Sequence, residues 1–299
     1  KGNKTSIIVT ATKERFRNLV AYSAINKFLR GKGIHTPKTI SQHFNEGIME
    51  IEDFGDNTLF HSIRKSKNIF PYYKKSINVI LKLQKIKPIN KIKIKLNRNL
   101  KLNNYNIKNL HKDSDLFLNW YLPGVLGKRK SKKIKKKIKI ELNKLYKQIY
   151  FKNNFIVHRD FHVSNIMPVK SKLGIIDTQD VILGNPMYDV ASLIDDVRIQ
   201  IPLTIKNKIF QYYLKKSSLR KNIYFLKNDF DILSIQRNLK ILGIFYRLDI
   251  RDKKPQYLKY LPYTWKLIEL RMKNKIFKNL EKVLLEAVSK KLRKKKNFK

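Results

Sequence analysis

Three side chains along one stretch of this chain have the types and spacing to work on phosphate groups. The segment Val157-His158-Arg159-Asp160-Phe161-His162-Val163-Ser164-Asn165 is polar and follows a short apolar run, Phe155 to Val157. Asn165 stands five residues after Asp160, and Asp177 stands twelve residues after Asn165. Asp177 ends the apolar stretch Leu173-Gly174-Ile175-Ile176. A loop carboxylate can orient a hydroxyl and accept its proton. An amide oxygen and a second carboxylate are hard donors that suit a divalent cation such as Mg²⁺. Phosphoryl transfer needs this set: one group on the nucleophile and a cation to offset the charge of the phosphates.

Such a set works only if regular elements hold it. The chain reads as strand Phe155–Val157, the polar loop, then a hairpin of Ile166–Val169 and Leu173–Ile176 around Lys170-Ser171-Lys172. Asp177 to Pro186 is rich in turn residues. Upstream, Thr5–Thr10 reads as a strand and Lys13–Lys32 as a helix with Phe16, Leu19, Val20, Ala24, Ile25, Phe28 and Leu29 at helical spacing. Thr39–Gln42 and Gly47–Glu52 read as strands, and Asp53-Phe54-Gly55-Asp56-Asn57 as a hinge. Asn57–Lys87 reads as two helices, and Lys91–Lys112 as poorly defined, with Ile92, Ile94 and Leu96 alternating as in a strand. Leu116–Leu122 has a packed character. Lys128–Lys139 leads into a helix with Ile134, Ile138, Leu142, Leu145 and Ile149 on one side. Further helices are expected over 187–197, 203–215, 229–248, 258–273 and 277–292, before a basic tail from Lys290.

Composition narrows the classes. With no cysteine, there is no disulfide, thiolate metal site or thiol nucleophile. No run of apolar residues is long enough to span a bilayer, and no secretory signal is visible, which leads us to expect the cytoplasm. The 67 Lys+Arg against 22 Asp+Glu give a net charge of +45, which raises nucleic acid as a partner. A competing reading is coding bias. Lys, Ile and Asn make up about two fifths of the chain, and Lys far outnumbers Arg, the residue that specific phosphate and base readout prefers. Nucleic acid is therefore not the expected partner, and the basic run is expected to be a solvated helix face.

The segment from His158 to Asn165 fits H-R-D-x-x-x-x-N, the catalytic loop of protein kinases. With the strand-terminal Asp177 and a later Asp189 at a helix start (Asn185-Pro186-Met187-Tyr188-Asp189), the chain resembles the aminoglycoside phosphotransferase-like kinases. Within them it is most similar to bacterial anomeric sugar kinases acting on N-acetylmuramate and N-acetylglucosamine. The pieces Ile51-Glu52-Asp53-Phe54-Gly55-Asp56, Leu116–Leu122, Ile176-Asp177-Thr178-Gln179-Asp180 and Gln236–Phe245, with Arg247, Arg251-Asp252 and Leu261-Pro262, carry that likeness.

The resemblance implies an α+β, protein-kinase-like bilobal fold, with a small sheet-containing N-terminal lobe over 1–52, a large, mainly helical lobe over 53–289 and a basic tail over 290–299. It implies ATP and Mg²⁺ as cofactors and a small-molecule sugar acceptor. Asp160 would be the catalytic base, and Asn165 and Asp177 the metal ligands. Glu50, Ile51, Glu52, Ile166 and Ile176 would meet the nucleotide. His158, Arg159, His162 and Asp189 would support the loop. Asp180, Arg198, Asn238 and Arg251, with Asp195, Asp196 and Arg247 as further candidates, would reach the acceptor. An aminoglycoside, choline or an amino acid is the alternative acceptor, and a non-catalytic nucleic-acid-binding scaffold the alternative class.

The chain departs from the family pattern in three places. Strand Ser6–Val9 has no phosphate-binding Lys, and only Lys4 and Lys13 flank it. The phosphate-covering strand–turn–strand is missing ahead of it, so the small lobe is expected to be truncated. Thr178 stands where relatives carry an aromatic residue; its isosteric relation to Val is expected to preserve packing, and metal binding should survive.

Overall fold

A computed structural model describes residues 5–94 and 99–295. Lys4, Leu96 and the last four residues of the basic tail lie outside this range. In chain order the elements are β1 (Ser6–Thr10), α1 (Phe16–Gly31), β2 (Thr39–His43), β3 (Ile48–Glu52), α2 (Leu59–Arg64), α3 (Phe70–Lys85), β4 (Lys91–Lys93), β5 (Asn99–Lys101), α4 (Ile107–Leu116), α5 (Leu122–Leu126), α6 (Lys128–Lys147), β6 (Phe155–Val157), β7 (Ile166–Val169), β8 (Lys172–Ile175), β9 (Ile182–Gly184), α7 (Met187–Ile194), α8 (Leu203–Lys216), α9 (Ile223–Ile250), α10 (Leu261–Met272), α11 (Lys278–Ala287) and α12 (Lys290–Arg293). A π-helical turn, Phe117–Tyr121, joins α4 to α5. No described helix is long and apolar enough to cross a membrane.

The described residues fall into two compact units. The first holds residues 5–94, 99–104, 153–194 and 201–220. Its antiparallel sheet has the order β1-β3-β2, with Ser6 opposite Glu52 and His43 opposite Ile48. The alternation of a half-buried strand sends Met49 and Ile51 of β3 inward, where they pack with Leu19 of α1, Val9, Ala11, Tyr22 and Phe44. Tyr73, Ile77, Ile80 and Leu83 form one buried face of α3 at helical spacing. β6 pairs with β9, and β7 with β8. The turn-rich stretch after Asp177 thus contains β9, a strand too short to show a period in sequence. All of α7 is buried, which an amphipathic surface helix would not be.

The second unit holds 105–152, 195–200 and 221–295. The first part of helix α4 lies within the Lys- and Asn-rich stretch that the sequence alone leaves undefined. It starts from a reciprocal cap in which Asn106 and Asn109 exchange side-chain-to-backbone bonds of 3.2 and 3.0 Å. The basic run lies on α6, where Ile138, Leu142, Leu145 and Tyr146 are buried and Lys139 reaches Asp115 at 3.0 Å. The Lys side chains around that stripe are a solvated face, as expected. The expected helix 277–292 breaks at Val288, and Ser289 caps α12.

At the core of this unit Phe117, Tyr121, Tyr246 and Trp265 pack stacked, tilted or edge to face, and Trp265 donates its indole N–H to the Tyr121 hydroxyl at 2.8 Å. Gly243 lets α9 approach the chain at Leu116. A Cβ there would lie 2.2 Å from the Leu116 carbonyl carbon and 2.5 Å from the Phe117 nitrogen. Backbone cannot swing away as a side chain can, so Gly243→Ala is expected to cost about 1–3 kcal/mol in chemical denaturation. An unchanged midpoint and slope would show that the two segments are not held in contact.

Candidate active site

The polar loop is built from its backbone outward, and all of it lies in the first unit. β6 delivers the chain into His158, whose N–H donates to Asp189 Oδ2 at 2.7 Å. The next N–H, of Arg159, donates to Asp189 Oδ1 at 3.0 Å. One buried carboxylate on α7 thereby clamps two successive peptides. Between them the chain turns through Arg159 at φ 75°, a left-handed conformation costing a non-glycine residue roughly 1–2 kcal/mol. The clamp offsets that strain. His158 Nε2–H then donates to the Ile176 carbonyl at 2.8 Å, tying the loop to the residue before Asp177.

Further bonds close the loop on itself. Asn165 Nδ2 donates to the Asp160 carbonyl at 3.1 Å, and the His162 N–H reaches the same oxygen at 3.0 Å. The Ile176 N–H donates to the Asn165 carbonyl at 3.1 Å. Asp160, Asn165 and Asp177 are thus brought into one hydrogen-bonded assembly. With its Nδ2 engaged, Asn165 offers Oδ1 as its donor to a cation. Asp177 is itself left-handed at φ 58°, a conformation that Asp tolerates better than most residues. Burial pushes its carboxyl above the ordinary range, the nearby Asp160 and Asp180 add to this, and His158 opposes it. A carboxylate desolvated beside other carboxylates, with an amide oxygen on the same assembly, is a donor set fitted to Mg²⁺. No cluster of three or more His, Cys, Asp or Glu poised for a metal occurs among the described residues. The hard-oxygen set here would leave the remaining positions to phosphate oxygens and water.

Thr178 does more than fill space. Its hydroxyl is fully buried and donates to Asn26 Oδ1 of α1 at 2.6 Å. Helix α1 and the turn carrying Asp177 are joined by this bond, which a Val could not make.

Beside Asp177 opens a cavity of about 690 Å³, a size suited to a cofactor or other small ligand. Its apolar wall is Val9, Ala11, Leu19, Met49, Ile51, Phe54, Met167 and Ile176. Its polar edge is Thr10, Thr12, Asn18, Tyr22, Glu52, Asp177 and Gln179, and Arg15 is the cation on its lining. Of the residues expected to meet a nucleotide, Ile51, Glu52 and Ile176 line it, whereas Glu50 and Ile166 do not. The Glu50 side chain is engaged instead by Ser6 and Ser41, which donate to it at 2.7 and 3.0 Å. Ile166 is wholly buried, and its neighbour Met167 takes the cavity position. Arg15, Asn18 and Tyr22, which the sequence did not single out, form one stripe with Leu19 at three- and four-residue spacing.

The remaining candidates divide by unit. In the first, Asp180 pairs with Arg159 at 3.4 Å. His162 is buried in the loop. In the second, Arg198 binds Asp196 at 3.0 Å, and Asp195 takes two bonds from Arg271 at 2.7 and 2.9 Å. Asn238 donates to the Ser234 carbonyl at 2.9 Å, Arg247 is half-buried, and exposed Arg251 forks onto Asp252 at 2.8 and 3.0 Å.

The clamp predicts a pH effect. Burial pushes the Asp189 carboxyl up to about 6, with His158 and the two N–H donors acting in the opposite direction. Its value in the unfolded chain is about 3.9, so between the two values the folded state holds the extra proton. The contribution of this group to stability therefore falls as pH rises through that window and is level above it. Denaturation at stepped pH should show wild type losing ground to Asp189→Asn between about pH 4 and 6. A difference that stays constant with pH would mean that Asp189 does not titrate as a buried acid.

A model of the family described as "phosphotransferase enzyme family" matches residues 103–222. The chain is 24% identical over 274 residues to the N-acetylmuramate/N-acetylglucosamine kinase of Pseudomonas aeruginosa, covering 90% of this chain and 78% of that protein. Among solved structures it is similar to choline kinase LicA from Streptococcus pneumoniae, with a TM-score of 0.58, 14% identity and coverage of 94% of this chain and 87% of that one. It is also similar to aminoglycoside phosphotransferase APH(3'')-Id from Streptomyces rimosus, solved with ADP and streptomycin, with a TM-score of 0.50, 13% identity and coverage of 77% and 87%. The fold is the α+β, protein-kinase-like fold of these structures, and over residues 103–222 the chain is similar to the phosphotransferase enzyme family.

Proposed function

We propose that this small-molecule kinase transfers the γ-phosphoryl group of ATP to a sugar hydroxyl, the anomeric hydroxyl of N-acetylmuramate or N-acetylglucosamine, in the recycling of cell-wall sugars. The observation that carries the transfer is the single assembly of Asp160, Asn165 and Asp177, bonded through the Asp160, Asn165 and Ile176 carbonyls, beside a 690 Å³ cavity. The sugar rests on the name of the Pseudomonas relative and its long alignment.

Residues of this chain would divide the work. The Ile51 side of β3 and the Met167–Ile176 wall enclose the base of the nucleotide, with apolar contacts and β3 backbone groups. Asn165 and Asp177 hold Mg²⁺, which when bound neutralises charge on the β- and γ-phosphates. Asp160 accepts the proton of the attacking hydroxyl and fixes its direction towards the phosphorus. The Asp189 clamp keeps that carboxylate in register, since a displacement of about 1 Å can cost a hundredfold in rate.

Asp160→Ala should lower turnover by about 10²–10⁴-fold while nucleotide affinity, read by calorimetry with ADP, changes little. Near-normal turnover would remove Asp160 from the chemistry. Asp177→Ala should raise the Mg²⁺ concentration needed for half-maximal rate, and an unchanged requirement would argue against its ligand role. ATP consumption with N-acetylmuramate, N-acetylglucosamine, choline, ethanolamine and an aminoglycoside tests the acceptor. Consumption confined to the cationic acceptors would overturn the sugar.

A further inference from the structure

The cavity beside Asp177 is poor in positive charge, in a chain that carries 67 Lys+Arg. Among the described residues its lining holds the carboxylates of Glu52 and Asp177 and a single cation, Arg15. β1, with the sequence Ser-Ile-Ile-Val-Thr, brings no charge of its own. A nucleoside triphosphate carries several negative charges, and one Mg²⁺ offsets only part of them. The rest must be met by protein donors, or the phosphates stay solvated and loosely held.

Arg15 is free to meet them. It is exposed, and among the described residues it has no ion pair. Adjacent Glu14 is held low first by a hydrogen bond with Thr12, and the Arg15 charge is the smallest influence on it. Register fixes where Arg15 stands. β1 runs antiparallel to β3, with Ser6 opposite Glu52 and Thr10 opposite Ile48. Glu52 and Gly55 therefore mark one end of the cavity, and Thr10, Thr12 and Arg15 the other, with Thr10 about 13 Å further along the strand than Ser6. On α1 the stripe runs from Arg15 to Tyr22, about 10 Å along the axis. Burial, with a smaller contribution from the Asp177 charge, pushes the Tyr22 hydroxyl up to about 12, so the stripe ends in the field of Asp177. The end away from Glu52 is the polar one: two hydroxyls, the Asn18 amide and a guanidinium.

We propose that Arg15 binds the phosphate chain of the nucleotide. This rests on the proposed use of ATP in the cavity; the choice of Arg15 rests on its being the cation of the lining. Lys13 stands closer to β1 in sequence but is not on the lining, and neither is Arg17. The planar fork of Arg15 can donate to two phosphate oxygens at once, which Lys cannot reproduce.

The test compares the full chain as wild type, Arg15→Gln, Arg15→Lys, Lys13→Met and Arg17→Met. Calorimetry at fixed ionic strength and Mg²⁺ measures the affinities for ATP and adenosine. In Arg15→Gln the affinity for ATP should fall about tenfold or more, and that for adenosine less than about twofold, since one charge-assisted donor pair is at stake. Arg15→Lys should lose less for ATP, because the charge remains and only the fork is gone. Lys13→Met and Arg17→Met remove the same charge nearby and should change the ATP affinity less than about threefold. Each variant alters one exposed side chain, so the melting temperature should stay within a few degrees of wild type. If Arg15→Gln melts early, Arg15→Lys carries the test, with an ATP affinity below wild type and an unchanged affinity for adenosine. Equal losses for ATP and adenosine, an ATP affinity retained in the Arg15 variants, or a larger loss in Lys13→Met would overturn the inference alone. A wild type that binds neither ATP nor adenosine would defeat the nucleotide reading and this inference with it.

Discussion

The first unit turns on one buried carboxylate. Asp189 stands on a helix with no exposed side and spends both oxygens on the peptides of His158 and Arg159. Its burial raises the cost of its charge, and the two N–H bonds are what keep that charge tolerable. In return the chain can hold the left-handed turn at Arg159, which a bulky residue would otherwise leave for a relaxed conformation. The position of Asp160 follows from that turn, Asn165 from its bond to the Asp160 carbonyl, and Asp177 from the bonds of His158 and Asn165 to Ile176.

A second constraint fixes the cavity wall. Helix α1 carries Leu19 and Tyr22 on the cavity side and Asn26 one turn further on. Through Asn26 it grips Thr178, the residue directly after Asp177. A substitution that looked in sequence like a lost ring is in the structure a new hydrogen bond between two walls of one site. The polar hinge is similarly occupied: Asp53 accepts from the Gly55 N–H at 2.6 Å, where φ is 76°, and Glu52 accepts from the Lys38 N–H at 3.1 Å. These acids shape the chain next to the cavity and need not touch a ligand to matter.

The net charge of +45 is laid over this architecture without directing it. On α6 the Lys residues surround an apolar stripe and stay in solvent, where their mutual repulsion is screened within about 8 Å at physiological salt. The charge that bears on chemistry is local: the acids near Asp177, and Arg15 on the cavity lining. A basic exterior can still favour the approach of anionic nucleotides and acids at long range.

The sequence by itself determined the order of strand, polar loop, hairpin and strand-terminal acid, because turn residues and two-residue alternation are local properties. It also determined the helices with strong apolar stripes, such as α3 and α6, and the family likeness. It left α4 undefined, since a Lys- and Asn-rich stretch masks a helix that two Asn residues cap. It missed β9, whose three residues exist as a strand only because β6 lies beside them. Tertiary structure alone decided which face of β3 meets the cavity, that Met167 rather than Ile166 lines it, and that α1 supplies one of its walls. It alone showed that Arg237 is buried with no counter-charge among the described residues. Those outcomes depend on which distant groups fill or fail to fill the space around a side chain, and that is a property of packing rather than of spacing along the chain.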